Sequence, residues 1–256
     1  MRLEGKSVIV TGSTTGIGEA IARRFVEEGA MVLVHGRDGG RGEQVVKSLG
    51  KGAAMHTDDL SDPESPARII DAAMNAFGRI DAVVNNAAWV IRSAIRDTDA
   101  TLFDAVMAVN VRAPMLLVQA ALSQLKKNQG AVLNIGSING HCGEPTFLAY
   151  STSKGALMAM SRNLADALGP ERIRVNHLNV GWVLTPNERK LQKADGQPDG
   201  WFNKLPVTTA PWGRLMRPEE IAAAAVYWIG DESRPISGSV LELEQYPVIG
   251  RNPAKV

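Results

Sequence analysis

Short apolar runs recur along the chain and alternate with longer stretches in which apolar residues return every three or four positions. The short runs are Ser7–Val10, Met31–His35, Ala53–His56, Ala82–Val84, Ala131–Ile135, Arg174–Leu178 and Val240–Leu243. Each has the length of a strand, and most are apolar at consecutive positions. That pattern suits strands of a parallel sheet covered on both faces. The longer stretches, Ile17–Glu28, Arg41–Leu49, Pro63–Phe77, Thr101–Lys126, Ala149–Leu168 and Pro218–Trp228, predict helices. Two carry start signals: Asp62 stands before Pro63, and Arg217-Pro218-Glu219-Glu220 puts proline and acids in a first turn. Strand alternating with helix predicts an α/β chain, a doubly wound sheet of seven parallel strands with helices on both faces. Two segments break the rhythm. Residues 184–212 are polar and carry proline and tryptophan, and the tail from Gln245 has no clear period. Insertions at the carboxyl end of a parallel sheet commonly carry specificity, so 184–212 is expected to be a substrate loop.

Composition narrows the classes. With 256 residues, no internal repeat and no Gly/Ser linker, the expectation is one domain over 1–256. A formal net charge of +1 gives no bulk electrostatic case for nucleic acid or an anionic membrane. The lone cysteine, Cys142, excludes an internal disulfide. It has no local Cys/His signature and reads as a filler residue in a loop rather than a nucleophile. Four histidines without a spaced cluster argue against a catalytic metal. No run approaches ~18 uninterrupted apolar residues, and Ser7–Val10 is too short for a signal-peptide core, so the expected location is the cytoplasm.

The first strand runs into Thr11-Gly12-Ser13-Thr14-Thr15-Gly16-Ile17-Gly18, and a helical pattern follows at once. A helix N-terminus aims free backbone N–H groups at a phosphate, and glycine lets the backbone come close. Strand, glycine turn and helix in this order predict a Rossmann-type dinucleotide site. The spacing is G-x-x-x-G-x-G rather than the more frequent G-x-G-x-x-G.

Tyr150 and Lys154 lie four apart on the pattern opened by Ala149, which puts them on one helical face. Carbonyl reduction needs a proton donor beside the hydride acceptor. Free tyrosine titrates near ~10, and a nearby ammonium favours the phenolate. Lowering that value by about three units would take roughly 4 kcal/mol. Ser137 follows the run Ala131–Ile135 and is placed to hold a substrate oxygen next to Tyr150. Alone, a Tyr and a Lys at this spacing are commonly a surface pair.

Taken together these residues closely resemble the short-chain dehydrogenase/reductase family, in its single-domain branch of about this length, across essentially the whole chain. Thr11-Gly12-x-x-x-Gly16-x-Gly18 is similar to the family's cofactor loop, Asp59-Leu60 to its adenine-side pair, and Asn85-Asn86-Ala87 to its motif after the fourth strand. Asn110, Ser137, Tyr150 and Lys154 match its catalytic tetrad, and Val180-Gly181-x-x-x-Thr185 its nicotinamide loop. The resemblance implies that Tyr150 is the general acid in reduction and the base in oxidation. It implies that Lys154 binds the nicotinamide ribose and lowers the Tyr150 pKa, that Ser137 polarises the carbonyl, and that Asn110 holds a water linking Lys154 to solvent. It places the cofactor on Gly12, Ser13, Thr15, Gly16, Ile17, Gly18, Asp59, Leu60, Asn86, Ala87, Tyr150, Lys154, Gly181, Val183 and Thr185. It also implies a homo-oligomer, a tetramer or a dimer, built on the long helices 101–126 and 149–168. Three positions depart from the family: Ala88 and Val180 stand for a glycine and a proline, and Glu244-Gln245-Tyr246-Pro247 stands where Asp-Gly-Gly is usual.

The end of the second strand reads Val34-His35-Gly36-Arg37-Asp38. Counting from Gly18, the acidic position of NAD-using relatives falls on Gly36, and Arg37 suits a 2′-phosphate, with His35 as a further donor. NADP(H) is therefore expected over NAD(H). In the competing reading Arg37 is a solvated charge and Asp38 takes the ribose. Thr14 and Thr15 are neutral where many NADP-using relatives have a basic residue. Trp89, Asn139, His141, Trp182, Trp201 and Phe202 are candidates to wall a pocket for a small carbonyl or alcohol. Arg214, before Pro218-Glu219-Glu220, reads as structural. A nucleotide-sensing protein without chemistry, a nucleotide-sugar epimerase and, as a narrower form of the main reading, a 3-oxoacyl-thioester reductase are the alternatives.

Overall fold

The aliphatic runs form seven strands: β1 (Ser7–Val10), β2 (Met31–Gly36), β3 (Ala53–Thr57), β4 (Ala82–Asn85), β5 (Ala131–Ser137), β6 (Arg174–Val180) and β7 (Val240–Leu243). In the computed structural model, which describes residues 1–248, they make one parallel sheet in the order β3-β2-β1-β4-β5-β6-β7. The chain starts at the middle of the sheet, builds outward through β2 and β3, then returns to build β4 to β7. The order reverses between β1 and β4, and the crevice beyond their carboxyl ends is where such sheets bind ligands. Val10, the last residue of β1, pairs with both Val34 and Val84, and β2 and β4 end within two residues beyond them.

Side chains alternate between the two faces. Val8 and Val10 join Val32 and Val34 under α1 (Gly16–Glu27) and α9 (Pro218–Ile229), against Ile21, Phe25 and Val226. Ile9, Leu33 and Val83 face the other way, against Ile69 of α3 (Ser65–Phe77) and Leu117 and Leu125 further along the chain. Each fully buried aliphatic side chain of this kind contributes about 1.5–3 kcal/mol. α2 (Gly39–Leu49) covers the β2–β3 end through Val45.

The helix expected at 101–126 occupies 100–128 but is not uniform. α4 (Ala100–Met107) passes into a π turn, Ala108–Arg112, before α5 (Ala113–Asn128). Pro114, which has no N–H to donate, stands just beyond the wide turn. Among the described residues this run alone is long and apolar enough in composition to cross a membrane. Here Val106, Leu117, Val118, Ala121 and Leu125 are buried within the fold.

Two further helices had not been expected, α6 (Asn139–Cys142) and α8 (Pro186–Ala194); α7 (Leu148–Leu168) lies between them. The 184–212 segment is thus partly helical, with a 3-10 turn at Trp201–Asn203. Its missed signal is local: Thr185-Pro186-Asn187-Glu188 has a capping threonine, proline at the first helical position and an acid three residues on. At α3 the expected start moves. Asp62 accepts from Glu64 N (3.0 Å) and pairs with Arg68, which makes a turn, and the helix begins at Ser65. At the C-terminal end Gln245 ties back to Arg214 O and Trp212 N. The rest of the expected tail, 249–256, lies outside the described residues.

Candidate active site

The chain leaves β1 through Thr11–Thr15 and enters α1 at Gly16. Gly12 and Gly16 have φ of +64° and +61°, a region that costs glycine little. Gly12 packs on Ala87, where an added Cβ would lie 2.8 Å from the Ala87 Cα. A Cβ on Gly18 would overlap the Asn86 amide and the Gly12 carbonyl. Thr15, at the N-cap of α1, makes no side-chain cap bond. Among the described residues no side-chain cap closes the positive end of α1, and the first-turn N–H groups of Gly16, Ile17 and Gly18 are left for an anion. Asn86 and Ala87 knit the loop to β4: their N–H groups donate to Thr11 Oγ1 (3.0 and 3.1 Å), and the Asn86 amide donates to the Thr11 and Gly12 carbonyls. This bare, glycine-built cradle at the sheet's switch point fits a dinucleotide pyrophosphate.

Two expected cofactor contacts are corrected by burial. The Ser13 hydroxyl points inward, donating to Val10 O (2.6 Å) and accepting from His35 N (3.0 Å), and Ser13 N donates to His35 O. His35 is 2% exposed, and its Nδ1 accepts from Gly12 N at 3.4 Å. Burial holds its imidazole down at about pKa 4, so it is neutral near neutral pH. Both residues brace the loop from beneath. His35 lies on β2, buried on both faces, and Ser13 turns its hydroxyl in against it, which local spacing does not reveal.

Gly36 closes β2 against Thr14; a Cβ there would stand 2.6 Å from the Thr14 methyl. Arg37, just beyond, is 78% exposed, with Asp59 Oδ2 3.9 Å away. Asp38 is committed elsewhere: it caps α2 by accepting from Arg41 N (3.0 Å) and pairs with the Arg41 guanidinium. Asp59 is half-exposed and accepts from Ser61 N, and Leu60 is buried in the core. The neighbouring Asp58 is gripped by Arg68, which holds its carboxyl well below the usual range.

Ser137 ends β5 and Tyr150 sits in the first turn of α7. The two hydroxyls lie close enough for Ser137 to favour the Tyr150 phenolate, but burial outweighs this and pushes the phenol up to about 12. Lys154 is 2% exposed, donates to Ile135 O (2.7 Å), and places its Nζ 5.7 Å from the Tyr150 ring centroid. Its burial lowers the ammonium to about 8. The expected lowering of Tyr150 by Lys154 is not found in this arrangement. The ammonium turns to the Ile135 carbonyl, while a carboxylate, Glu188, adds to the upward push on Tyr150. Asn110 lies in the π turn, fully buried. Its Oδ1 accepts from Trp89 N (2.7 Å), and its Nδ2 donates to Trp89 O and to Ser153 Oγ, which in turn donates to Tyr150 O. The amide thus fastens the β4–α4 connection to the helix that carries Tyr150.

Gly181, Val183 and Thr185 line the exit of β6. Gly181 N donates to Leu243 O, and the Glu244 carboxylate fills the space a side chain at 181 would need. Val183 is buried and bridges to Met216. Thr185 Oγ1 accepts from Glu188 N and caps α8; the same threonine is the nearest group to a Cβ built on Gly16, at 3.6 Å. The two loops therefore meet across the crevice.

Of the pocket candidates, Trp182 and Trp201 stack at 5.3 Å between centroids, and Phe202 meets Trp201 edge-on. Trp89 is 38% exposed, and Asn139 N donates to Ser137 Oγ. His141 is joined to Asn179 (2.8 Å) and lies 3.4 Å from Glu242. Asn179 continues to the buried His177, whose ring meets Ser161. This polar chain under Ser137 was not foreseen. Arg214 is structural as expected, gripping Glu220 with two N–H groups. Cys142 is exposed at the end of α6, a helix rather than a loop.

The model of the family described as enoyl-(acyl carrier protein) reductase matches residues 12–244. A solved structure titled a short chain dehydrogenase/reductase family protein superposes with a TM-score of 0.83 at 32% identity, over 95% of this chain and 97% of that one. The chain belongs to the short-chain dehydrogenase/reductase family. Among other members, the NADP-dependent (R)-specific alcohol dehydrogenase of Lentilactobacillus kefiri is 36% identical over 244 residues, 93% of this chain and 94% of that protein. The 3-ketoacyl-(acyl-carrier-protein) reductase from Brucella melitensis, solved with NADH, has a TM-score of 0.84 at 29% identity, over 94% of this chain and 97% of that one. As a short-chain dehydrogenase/reductase the protein is a nicotinamide-dependent oxidoreductase acting between carbonyl and alcohol. A non-catalytic nucleotide sensor is not favoured.

Proposed function

We propose that the protein is an NADP(H)-preferring enzyme that interconverts a small ketone and its alcohol. The observation that carries this reading is the convergence of three groups: the Ser137 hydroxyl favours the Tyr150 phenolate, and the buried Lys154 ammonium lies 5.7 Å from the Tyr150 ring centroid. Bound on Gly12, Thr15, Gly16, Ile17, Gly18, Asp59, Leu60, Asn86, Ala87, Gly181, Val183 and Thr185, the nicotinamide nucleotide supplies or accepts the hydride. Ser137 Oγ holds the substrate oxygen. Tyr150 Oη gives that oxygen a proton in reduction and takes it back in oxidation. Lys154 Nζ orients the nicotinamide ribose with the N–H groups that its bond to the Ile135 carbonyl leaves over. Asn110 holds the water that links Lys154 to solvent and fixes the start of α7.

Three features support NADP(H). Asp38 is occupied as a helix cap, Gly36 is packed on Thr14, and the Arg37 and Arg41 guanidiniums are exposed at this end of the sheet. A 2′-phosphate finds charge and fork geometry there, in competition with Asp59, whose carboxylate lies 3.9 Å from Arg37. Titrating NADPH and NADH separately, with nicotinamide fluorescence as readout, should show NADPH bound at least about tenfold tighter. Arg37→Ala should weaken NADPH by about tenfold, on the order of the 1.4 kcal/mol expected for one exposed charge-assisted contact, and leave NADH within about twofold. Equal or tighter NADH binding by the unaltered protein overturns this preference.

The chain works, on this reading, as one domain in the cytoplasm, and as a homo-oligomer. Support for self-association comes from α4 and α5, where Met107, Val111 and Met115 line a surface groove of about 480 Å³ and Met115 is 43% exposed.

A further inference from the structure

We infer that Glu188 sets substrate specificity: its carboxylate admits ketones and alcohols whose second arm donates a hydrogen bond, and it turns away those with an anionic arm. This rests on the reading of Tyr150 as the reacting acid.

Glu188 sits in the first turn of α8, where its own N–H is held by Thr185 Oγ1 (3.0 Å), the residue facing the glycine loop. Trp182 Nε1 and Gln192 Nε2 both donate to Glu188 Oε1 at 2.8 Å. The side chain is thereby anchored by neutral groups on one oxygen and set against the stacked Trp182–Trp201 pair. Other acids nearby are neutralised or used up. Asp195 pairs with Arg92, and Glu244 accepts from the Trp182 and Gln245 N–H groups. Among the described residues Glu188 takes part in no ion pair; the adjacent Arg189 turns instead to the Phe202 ring, 4.1 Å from its centroid. A partly buried carboxylate with no ion-pair partner gains from a further hydrogen-bond donor. Its charge is felt at Tyr150, where it disfavours the phenolate, so it also lies within electrostatic reach of whatever Tyr150 protonates.

A hydroxyl or an ammonium on the substrate would complete that site, with the indoles offering a flat apolar wall to either. A carboxylate or phosphate arm would meet like charge at this partly buried carboxylate. The shared requirement is a hydrogen-bond donor without negative charge.

A set of acetophenones carrying ethyl, hydroxymethyl, aminomethyl or carboxylate at the 3-position tests this. With NADPH, kcat/KM for the better donor-bearing ketone should exceed that for the carboxylate by about 100-fold. Which of hydroxymethyl and aminomethyl leads identifies the natural donor. Glu188→Gln, which keeps an acceptor for Trp182, should compress the donor-to-carboxylate ratio at least about tenfold, and Glu188→Asp should largely restore it; thermal melts check that both fold. The same ketones titrated into Tyr150→Phe with NADP(H) bound, followed by tryptophan fluorescence, read the preference without chemistry. Ratios unchanged within about twofold in E188Q, or no dependence of binding on the arm, overturn the inference while leaving Tyr150 standing. Undiminished turnover by Tyr150→Phe with the charge preference intact overturns the tyrosine reading and leaves Glu188 standing.

Discussion

Tyr150→Phe should lower kcat for ketone reduction by about 10³-fold or more and leave NADPH affinity within a few-fold of the unaltered protein. The phenyl ring keeps the edge contact with Phe147, 6.0 Å between centroids, so the fold around it should persist. What is removed is the proton at the substrate oxygen, and positioned acid catalysis is worth about 10²–10⁴. The pH profile separates the two directions. With the phenol pushed up to about 12 by burial, Tyr150 remains a competent acid through neutral and moderately alkaline pH. Reduction should then show no loss from this group below that range. Alcohol oxidation needs the phenolate and should rise with pH across the same interval. Steady-state rates in both directions, with cofactor titration of the variant, check each part. Near-normal reduction by Tyr150→Phe would remove tyrosine from the chemistry.

Lys154→Met should be more stable than the unaltered protein near neutral pH and nearly inactive. Lys154 is an ammonium with 2% exposure whose main protein partner is one carbonyl, Ile135 O. Its folded-state pKa is about 8, against 10.5 for a free lysine. Below pH 8 both states carry the proton and the folded state bears the cost of the buried charge. Between about 8 and 10.5 the unfolded chain binds the proton and the folded one does not, so the native lysine's disadvantage fades as pH rises through that window. Methionine removes the charge and fills most of the space but leaves Ile135 O unpartnered. The balance is a gain on the order of 2 kcal/mol at pH 7, roughly 5 °C in Tm, narrowing towards pH 10.5. Turnover should fall by about 10² or more. Thermal melts of the cofactor-free proteins from pH 6 to 10 give the test. A variant less stable at every pH would mean that the lysine's contacts, rather than its charge, dominate.

The strands were legible because their signal is composition over a few residues; every one of the seven was expected within two residues of its observed ends. Helix interiors were equally plain. What was missed depends on features that apolar periodicity does not register: the π turn around Asn110, the short α6, and α8 with its Thr185-Glu188 start. At the site, residues close in sequence were easy to group, as with Gly12, Gly16 and Gly18, or Tyr150 and Lys154. Burial was harder. Ser13 lies in the glycine loop and His35 on the covered strand β2, yet both turn their polar atoms into the protein, where they meet each other. Glu188 stands 38 positions from Tyr150, and only the folding of the 184–212 segment over the sheet brings its charge to the phenol. Lys154 was expected to act on its neighbour, and its choice of the Ile135 carbonyl is a tertiary event.

The contact between Gly36 and Thr14 has a consequence for how such an enzyme changes cofactor over generations. An acid at 36 is the simplest route to NAD, but its first carbon alone would press on the Thr14 methyl at 2.6 Å, inside the turn proposed to hold the pyrophosphate. A single exchange at 36 would therefore damage the cradle before it gained a ribose partner. A smaller residue at 14 has to arrive first, or together with it. Selection for NAD use should recover the two positions as a coupled pair, so that the history of one is written in the other.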